Sequence, residues 1–190
     1  MSEAIPSNVL LVSSEAKPSF SVVYRDNAAF VWRSLRRLGV RPADVEDVCQ
    51  DVFVVVHAKL GDFYGGSIRA WLFAIAVRVA ADYRKRAFMK RETSEADHSE
   101  PATLPEQADA LEKKEAVAML EAILASLDDE KRSVFILFEL EQMPMTEVAR
   151  ALDCPVQTAY SRLHAAREHV TSAVARWQKR SLAQAPGRRP

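Results

Sequence analysis

A chain of 190 residues has room for one medium domain or two small ones, each with a modest core. With 48% hydrophobic and 27% charged residues it falls among soluble globular chains, and no apolar run approaches the length of a membrane span. Residues 1–19 lack the basic-then-apolar pattern of a secretion signal, and Cys49 and Cys154 stand outside any metal-ligand spacing. Two reduced structural thiols in a cytoplasmic protein, with no metal and no cofactor, are expected.

The net charge is zero, which at first argues against a nucleic-acid partner, but the charge is unevenly spread. Residues 20–86 carry 11 Lys/Arg against 7 Asp/Glu, residues 87–110 carry 2 against 6, and residues 111–190 carry 12 against 11. A basic module and an acidic spacer are hidden in the neutral total, and a polyanion responds to the local field.

Glycine is scarce, with 5 residues, and helical periodicity dominates, so an all-helical fold is expected. A first helix is predicted near 22–38, ended by Gly39 and then Pro42. A second spans about 43–60 and stops at Gly61. Val45, Val48, Cys49, Val52 and Val56 form its core face, while Asp47, Gln50 and Asp51 lie opposite, with Val54 exposed among them. An apolar residue inside a charged face suits a protein interface, although a solvated face would look the same.

After a loop at 61–66, Ser67 is the predicted N-cap of a third helix reaching Arg86. Ile68, Leu72, Ile75 and Val79 make its buried stripe, and Trp71, Arg78 and Lys85 repeat every seven residues along one flank. Cations spaced with an aromatic fit a surface laid against nucleic acid, and Phe63 and Tyr64 in the loop could stack on bases. Trp71 has partial core packing as its alternative. Residues 87–110, with Pro101, Pro105 and many acids, read as a flexible linker. Residues 1–19 and 181–190 read as disordered ends.

In the second half, Ala116, Leu120, Ile123 and Leu127 share one helical stripe. Asp128 then caps a helix to about Gln142, in which Val134 to Phe138 would pass for a strand by composition but has no partner strand. A short helix at 146–152, a turn at Asp153, Cys154 and Pro155, and a long helix over 156–180 give the helix-turn-helix layout. Val156, Ala159, Leu163, Ala166, Val170 and Val174 are expected to face the core. Gln157, Tyr160, Ser161 and His164 then face outward where a recognition helix meets base edges, with Arg162 and Arg167 within reach of phosphates. His164 and His169 are five apart, which misses the i, i+4 spacing for a shared metal.

Two sets of residues carry a family resemblance. Met143-Pro144-Met145-Thr146-Glu147-Val148-Ala149 and the stretch from Pro155 through Thr158, Ser161, Arg162 and Leu163 to Arg167 resemble region 4 of bacterial sigma factors. Val45-Glu46-Asp47-Val48-Cys49-Gln50-Asp51-Val52-Phe53 is similar to region 2.2, and Ala70-Trp71-Leu72-Phe73-Ala74-Ile75-Ala76 and Asp82-Tyr83-Arg84-Lys85-Arg86 are similar to regions 2.3 and 2.4. The order, linker length and size resemble the extracytoplasmic-function group.

The resemblance implies a region 2 domain at 20–86 and a region 4 domain at 111–180, partnered by core RNA polymerase and promoter DNA and held by an anti-sigma factor. It implies polymerase docking at Asp47, Gln50, Asp51 and Val54. It further implies minus-ten strand capture by Phe63, Tyr64, Trp71, Arg78 and Lys85, and minus-thirty-five reading by Gln157, Thr158, Tyr160, Ser161, Arg162, His164 and Arg167. Arg78 stands where the family often has Asn, and Ala165 replaces a side chain that is often basic, so base preference does not carry over. The rivals are an autonomous helix-turn-helix regulator and a helical enzyme. The latter lacks a nucleophile–base set, a phosphate-cradling loop and a metal spacing.

Overall fold

The computed structural model describes residues 18–93 and 108–184, and every regular element among them is helical. Most of the end segments expected to be disordered, and most of the expected linker, lie outside the described residues, but α7 runs on to Gln184, so the first four residues of the expected C-terminal tail are helical. The first module holds α1 (Phe20–Arg37), α2 (Val45–Lys59) and α3 (Ile68–Thr93), with single 3-10 turns at Pro42–Asp44 and Leu60–Asp62. The second holds α4 (Ala108–Ala125), α5 (Asp129–Phe135) running into a π turn at Ile136–Leu140, α6 (Met145–Ala151) and α7 (Val156–Gln184).

Helix α1 buries Val23, Asn27, Phe30, Val31, Ser34 and Leu35 on one stripe. It closes in a Schellman motif, in which Gly39 N–H donates to Arg36 O at 3.0 Å and Val40 N–H donates to Leu35 O at 3.0 Å. Gly39 has φ +90°, the backbone sign that this motif demands of its C′ residue. Ser67 Oγ accepts from Ala70 N–H at 3.3 Å and starts α3, as the sequence indicated. Helix α3 does not stop at Arg86. Nothing at 87–93 breaks a helix and the first proline comes at 101, so seven residues of the expected linker are helical, as are three at the start of α4.

A single apolar stripe is too narrow a description of α3. Phe73, Ala76 and Ala80 are fully buried beside Leu72 and Ile75, because α1 and α2 cover one side of the helix while α6 covers another. Val134 to Phe138 is helical, and Glu141 N–H donates to Ile136 O at 3.0 Å to close the π turn. Val156, expected on the core face, is 40% exposed; it occupies the first turn of α7, and burial begins at Ala159 and continues with Leu163 and Ala166.

The two modules share one continuous core rather than floating apart. Arg132 of α5 is buried and joins them. Its guanidinium donates to Leu124 O, Ala125 O and Leu127 O at the C-terminal end of α4, and to Leu38 O at the end of α1. Carbonyls at helix ends lack the full set of intrahelical partners, and a cation suits the negative end of each dipole. Burial lowers the Arg132 pKa, yet an arginine stays charged under any ordinary condition.

Candidate functional site

Three surfaces hold the residues singled out by sequence. On α2, Asp47, Gln50, Asp51 and Val54 are all exposed, Val54 at 69%. The opposite face is buried through Val45, Val48, Val52 and Val56, with Cys49 half-buried at the edge. Burial raises the Cys49 thiol pKa, which keeps it protonated and unreactive. Beside this face lies a groove lined by Tyr24, Ala28 and Trp32 of α1 and by Cys49, Gln50 and Phe53 of α2. Tyr24 and Trp32 are exposed at 50% and 41%. Sequence reasoning passed over both, although Tyr24 and Trp32, with Ala28 between them at i, i+4, i+8, share one flank of α1 in a spacing that could have shown them.

The second surface is concave. The loop after α2 and the N-terminal half of α3 bound a cavity of about 480 Å³ that brings together Lys59, Phe63, Tyr64, Trp71 and Arg78. Phe63 packs on Trp71 with ring centroids 5.4 Å apart, so these two support each other, whereas Tyr64 stands out at 84% exposure. Lys85 lies two turns beyond Arg78, is exposed, and does not line the cavity. Gly65 and Gly66 both have positive φ, which is what lets the loop double back over the cavity. The far wall comes from the second module and includes Glu147, Arg150 and Asp153, which the sequence placed in the helix-turn-helix and not at this cavity, because their position here depends on packing between modules.

The third surface is the helix-turn-helix. The turn between α6 and α7 is again a Schellman motif, with Asp153 at φ +49° as its left-handed residue and Cys154 N–H donating to Ala149 O at 3.0 Å. Gln157, Tyr160, Ser161 and His164 are exposed near the start of α7, and Thr158 is half-buried. Arg162 is held by Glu130 at 2.6 Å. Arg167 is held by Glu139 at 2.6 Å and lies over the Phe138 ring. Ser161 Oγ donates back to Gln157 O at 3.1 Å, and His164 approaches Glu168 at 3.6 Å. Among the described residues, no group of three His, Cys, Asp or Glu side chains could hold a metal, and no helix is long and apolar enough to cross a membrane.

Comparison with known proteins gives the family. Residues 23–88 match sigma-70 region 2, and residues 118–170 match sigma-70 region 4. The chain is 30% identical over 146 residues to the ECF RNA polymerase sigma-E factor of Escherichia coli K12, covering 71% of this chain and 76% of that one. The chain belongs to the ECF RNA polymerase sigma factors. It is also 28% identical over 163 residues to the ECF sigma factor SigE of Mycolicibacterium smegmatis, covering 85% of this chain but only 63% of the relative's length. Two solved structures share the fold of this sigma factor. CnrH, in complex with the cytosolic domain of CnrY, aligns over 82% of this chain and 87% of its own with a TM-score of 0.61 at 26% identity. The sigma factor RpoE of Bartonella quintana, in complex with the anti-sigma factor NepR, aligns over 82% of this chain and 96% of its own with a TM-score of 0.65 at 22% identity. Members of the family are specificity subunits, so this sigma factor is not an enzyme.

Proposed function

We propose that this chain binds core RNA polymerase and directs it to promoters, with the first module docking on the enzyme and capturing the opened strand and the second reading the upstream duplex. One observation carries the reading. A single chain presents an exposed acidic face around Val54, an aromatic and cationic cavity, and a helix-turn-helix with a solvent-facing reading edge. An autonomous operator-binding regulator would use the last of these and leave the first two without purpose. Asp47, Gln50, Asp51 and Val54 face the polymerase, and the Tyr24/Trp32 groove extends that contact, because large apolar side chains left in water gain most from a protein partner.

Strand capture falls to Tyr64, Trp71 and Arg78 around the cavity, with Phe63 bracing Trp71 from beneath and Lys85 holding phosphate further along α3. Opening DNA costs on the order of 1.4 kcal/mol per base-pair step in stacking, and an aromatic returns roughly 1–3 kcal/mol per captured base. The upstream duplex is read at base edges by Gln157, Tyr160, Ser161 and His164. Thr158, Arg162 and Arg167 stand at the sides of that face, toward phosphate. The protein works in the cytoplasm beside the polymerase, and an anti-sigma partner covers the exposed α1–α2 groove.

Run-off transcription with core polymerase tests the reading. The chain should confer promoter-specific initiation, and Tyr64→Ala should lower it on duplex DNA while a pre-melted bubble restores most of the loss. Operator binding with no effect on the polymerase would favour the autonomous regulator instead.

A further inference from the structure

The cations of α3 divide by flank. Arg69 lies over the Phe30 ring, Arg84 donates to Leu38 O and pairs with Asp129, and Arg86 approaches Asp51 at 3.8 Å. Arg78 and Lys85, on the flank shared with Trp71, enter no ion pair and no side-chain hydrogen bond among the described residues. Of these two, only Arg78 lines the cavity. Its guanidinium carries five N–H donors and no acceptor, so the protein holds a set of unused donors beside aromatic walls.

The helix shapes a slot around that cation. Trp71, Ala74 and Arg78 stand at i, i+3 and i+7, and all three line the cavity. Trp71 and Arg78 are about 10 Å apart along the helix axis. Ala74 between them carries only a methyl group, and Phe63 braces the indole at 5.4 Å. Helical side chains lean toward the N-terminus, which carries the Arg78 guanidinium back over Ala74 toward Trp71. A base with its ring on the indole then has an edge within reach of the guanidinium. The 3-10 turn after α2 adds Asp62 to the same lining, and Asp62 too has no ion pair or side-chain hydrogen bond among the described residues.

The two charges make opposite demands of a base. A guanidinium fork needs two adjacent acceptors. Guanine offers them at N7 and O6, and unpaired cytosine at O2 and N3, whereas adenine and thymine have no such pair. A carboxylate needs donors, and two adjacent donors occur on guanine alone, at N1–H and the N2 amino group. Guanine therefore has a matching edge for each residue. Those edges adjoin at O6, so Arg78 and Asp62 need not face each other across the slot.

We infer that the base held in this cavity is guanine, with Arg78 donating to N7 and O6 and Asp62 accepting from N1–H and the N2 amino group. The inference deepens the strand-capture reading above and rests on it.

The test joins the full chain to core RNA polymerase and captures templates from a random-sequence pool with a pre-melted bubble of about ten positions. Sequencing of the retained templates should show a bubble position at which guanine is preferred about tenfold, and Arg78→Lys, which keeps the charge but not the fork, should lose that preference. Base analogues at this position then separate the contacts. 7-Deazaguanine, which lacks the N7 acceptor, should weaken capture by wild type about fivefold and change capture by Arg78→Lys less than about twofold. Hypoxanthine, which lacks the N2 amino group, should do the same to wild type and Asp62→Ala. Both side chains are exposed, so neither substitution removes a buried contact. Selection of another base, or analogue penalties equal in wild type and variant, would overturn the inference. So would an Arg78→Lys variant that weakens every template alike, since that is the behaviour of a phosphate contact. A chain that retains no template through core polymerase defeats the sigma reading itself, a result distinct from retention without the guanine signature.

Discussion

The polar faces of α2 and α7 are built on the same helical period, yet they treat their charges in opposite ways. Asp47 and Gln50 stand in solvent, and Asp51 has only a loose approach from Arg86 at 3.8 Å. On α7, Arg162 and Arg167 are each held at 2.6 Å by a carboxylate of their own module. A face of unmatched charge around an exposed valine gains most when a partner covers it. A face whose cations are already paired has them fixed in position, but each must give up an ion pair to reach a phosphate. The first arrangement is suited to affinity for one protein, the second to restrained contact with many DNA sequences.

The largest effect should come from attacking the unmatched face. Asp47→Arg with Gln50→Ala should weaken binding to core polymerase by about thirtyfold, roughly 2 kcal/mol, since reversal adds repulsion to the lost contact. Helical content should not change, because neither side chain is buried. Competition against labelled wild-type protein for core polymerase gives the number. An affinity within about twofold of wild type, a change of roughly 0.4 kcal/mol, would take α2 out of the interface.

The contrast also marks what could be read from the sequence. The core face of α2 was legible because Val45, Val48, Val52 and Val56 follow helical spacing on a helix that is buried on one side only. The caps were legible too, since Ser67 and Asp128 work locally, each accepting from an N–H three residues on. Arg132 was not. Nothing near it in the chain shows that Leu38 O, 94 residues away, receives its guanidinium, nor that four carbonyls make its burial tolerable. For the same reason Phe63 read as a free stacking ring when it leans on Trp71, and Arg150 and Asp153 were left out of the cavity they help to enclose. Periodicity reports one face of one helix; contacts between modules lie outside its reach.

A smaller effect should come from releasing a held cation. Glu139→Gln removes the anion that restrains Arg167 while keeping its size, so duplex binding should tighten about threefold for all sequences alike. Arg167→Ala should weaken it to a similar degree and lower the salt dependence by about one counterion. Substitutions at Ser161 or His164 should instead change which bases are preferred. Anisotropy titrations across a salt series on two unrelated duplexes check all of these. A sequence-dependent response to Glu139→Gln would move Arg167 from the phosphate to the bases.

The smallest effect concerns two aspartates at helix starts, one in each module. Asp44 precedes α2 but makes no side-chain cap there, and its carboxylate instead accepts from Tyr83 at 2.5 Å and from Arg41 at 2.8 Å. Asp128 caps α5, accepting from Lys131 N–H at 2.9 Å and from the Lys131 ammonium at 2.7 Å. Those two bonds hold the Asp128 carboxyl below the ordinary carboxylate range. A carboxylate depressed in the folded state adds stability that is complete at neutral pH and lost as pH falls through the folded value, because the unfolded chain takes up the proton first. Asp128→Asn keeps a good cap but cannot bind the ammonium as an ion. It should therefore cost only about 0.5 kcal/mol at neutral pH and remove the acid sensitivity that this group contributes, whereas Asp128→Ala should cost about 1 kcal/mol. Hydrogen exchange of the α5 amides should show wild type losing protection between pH 6 and about pH 3, with the Asn variant losing less over that interval. If both lose protection equally, Asp128 is not the source of the acid response of α5.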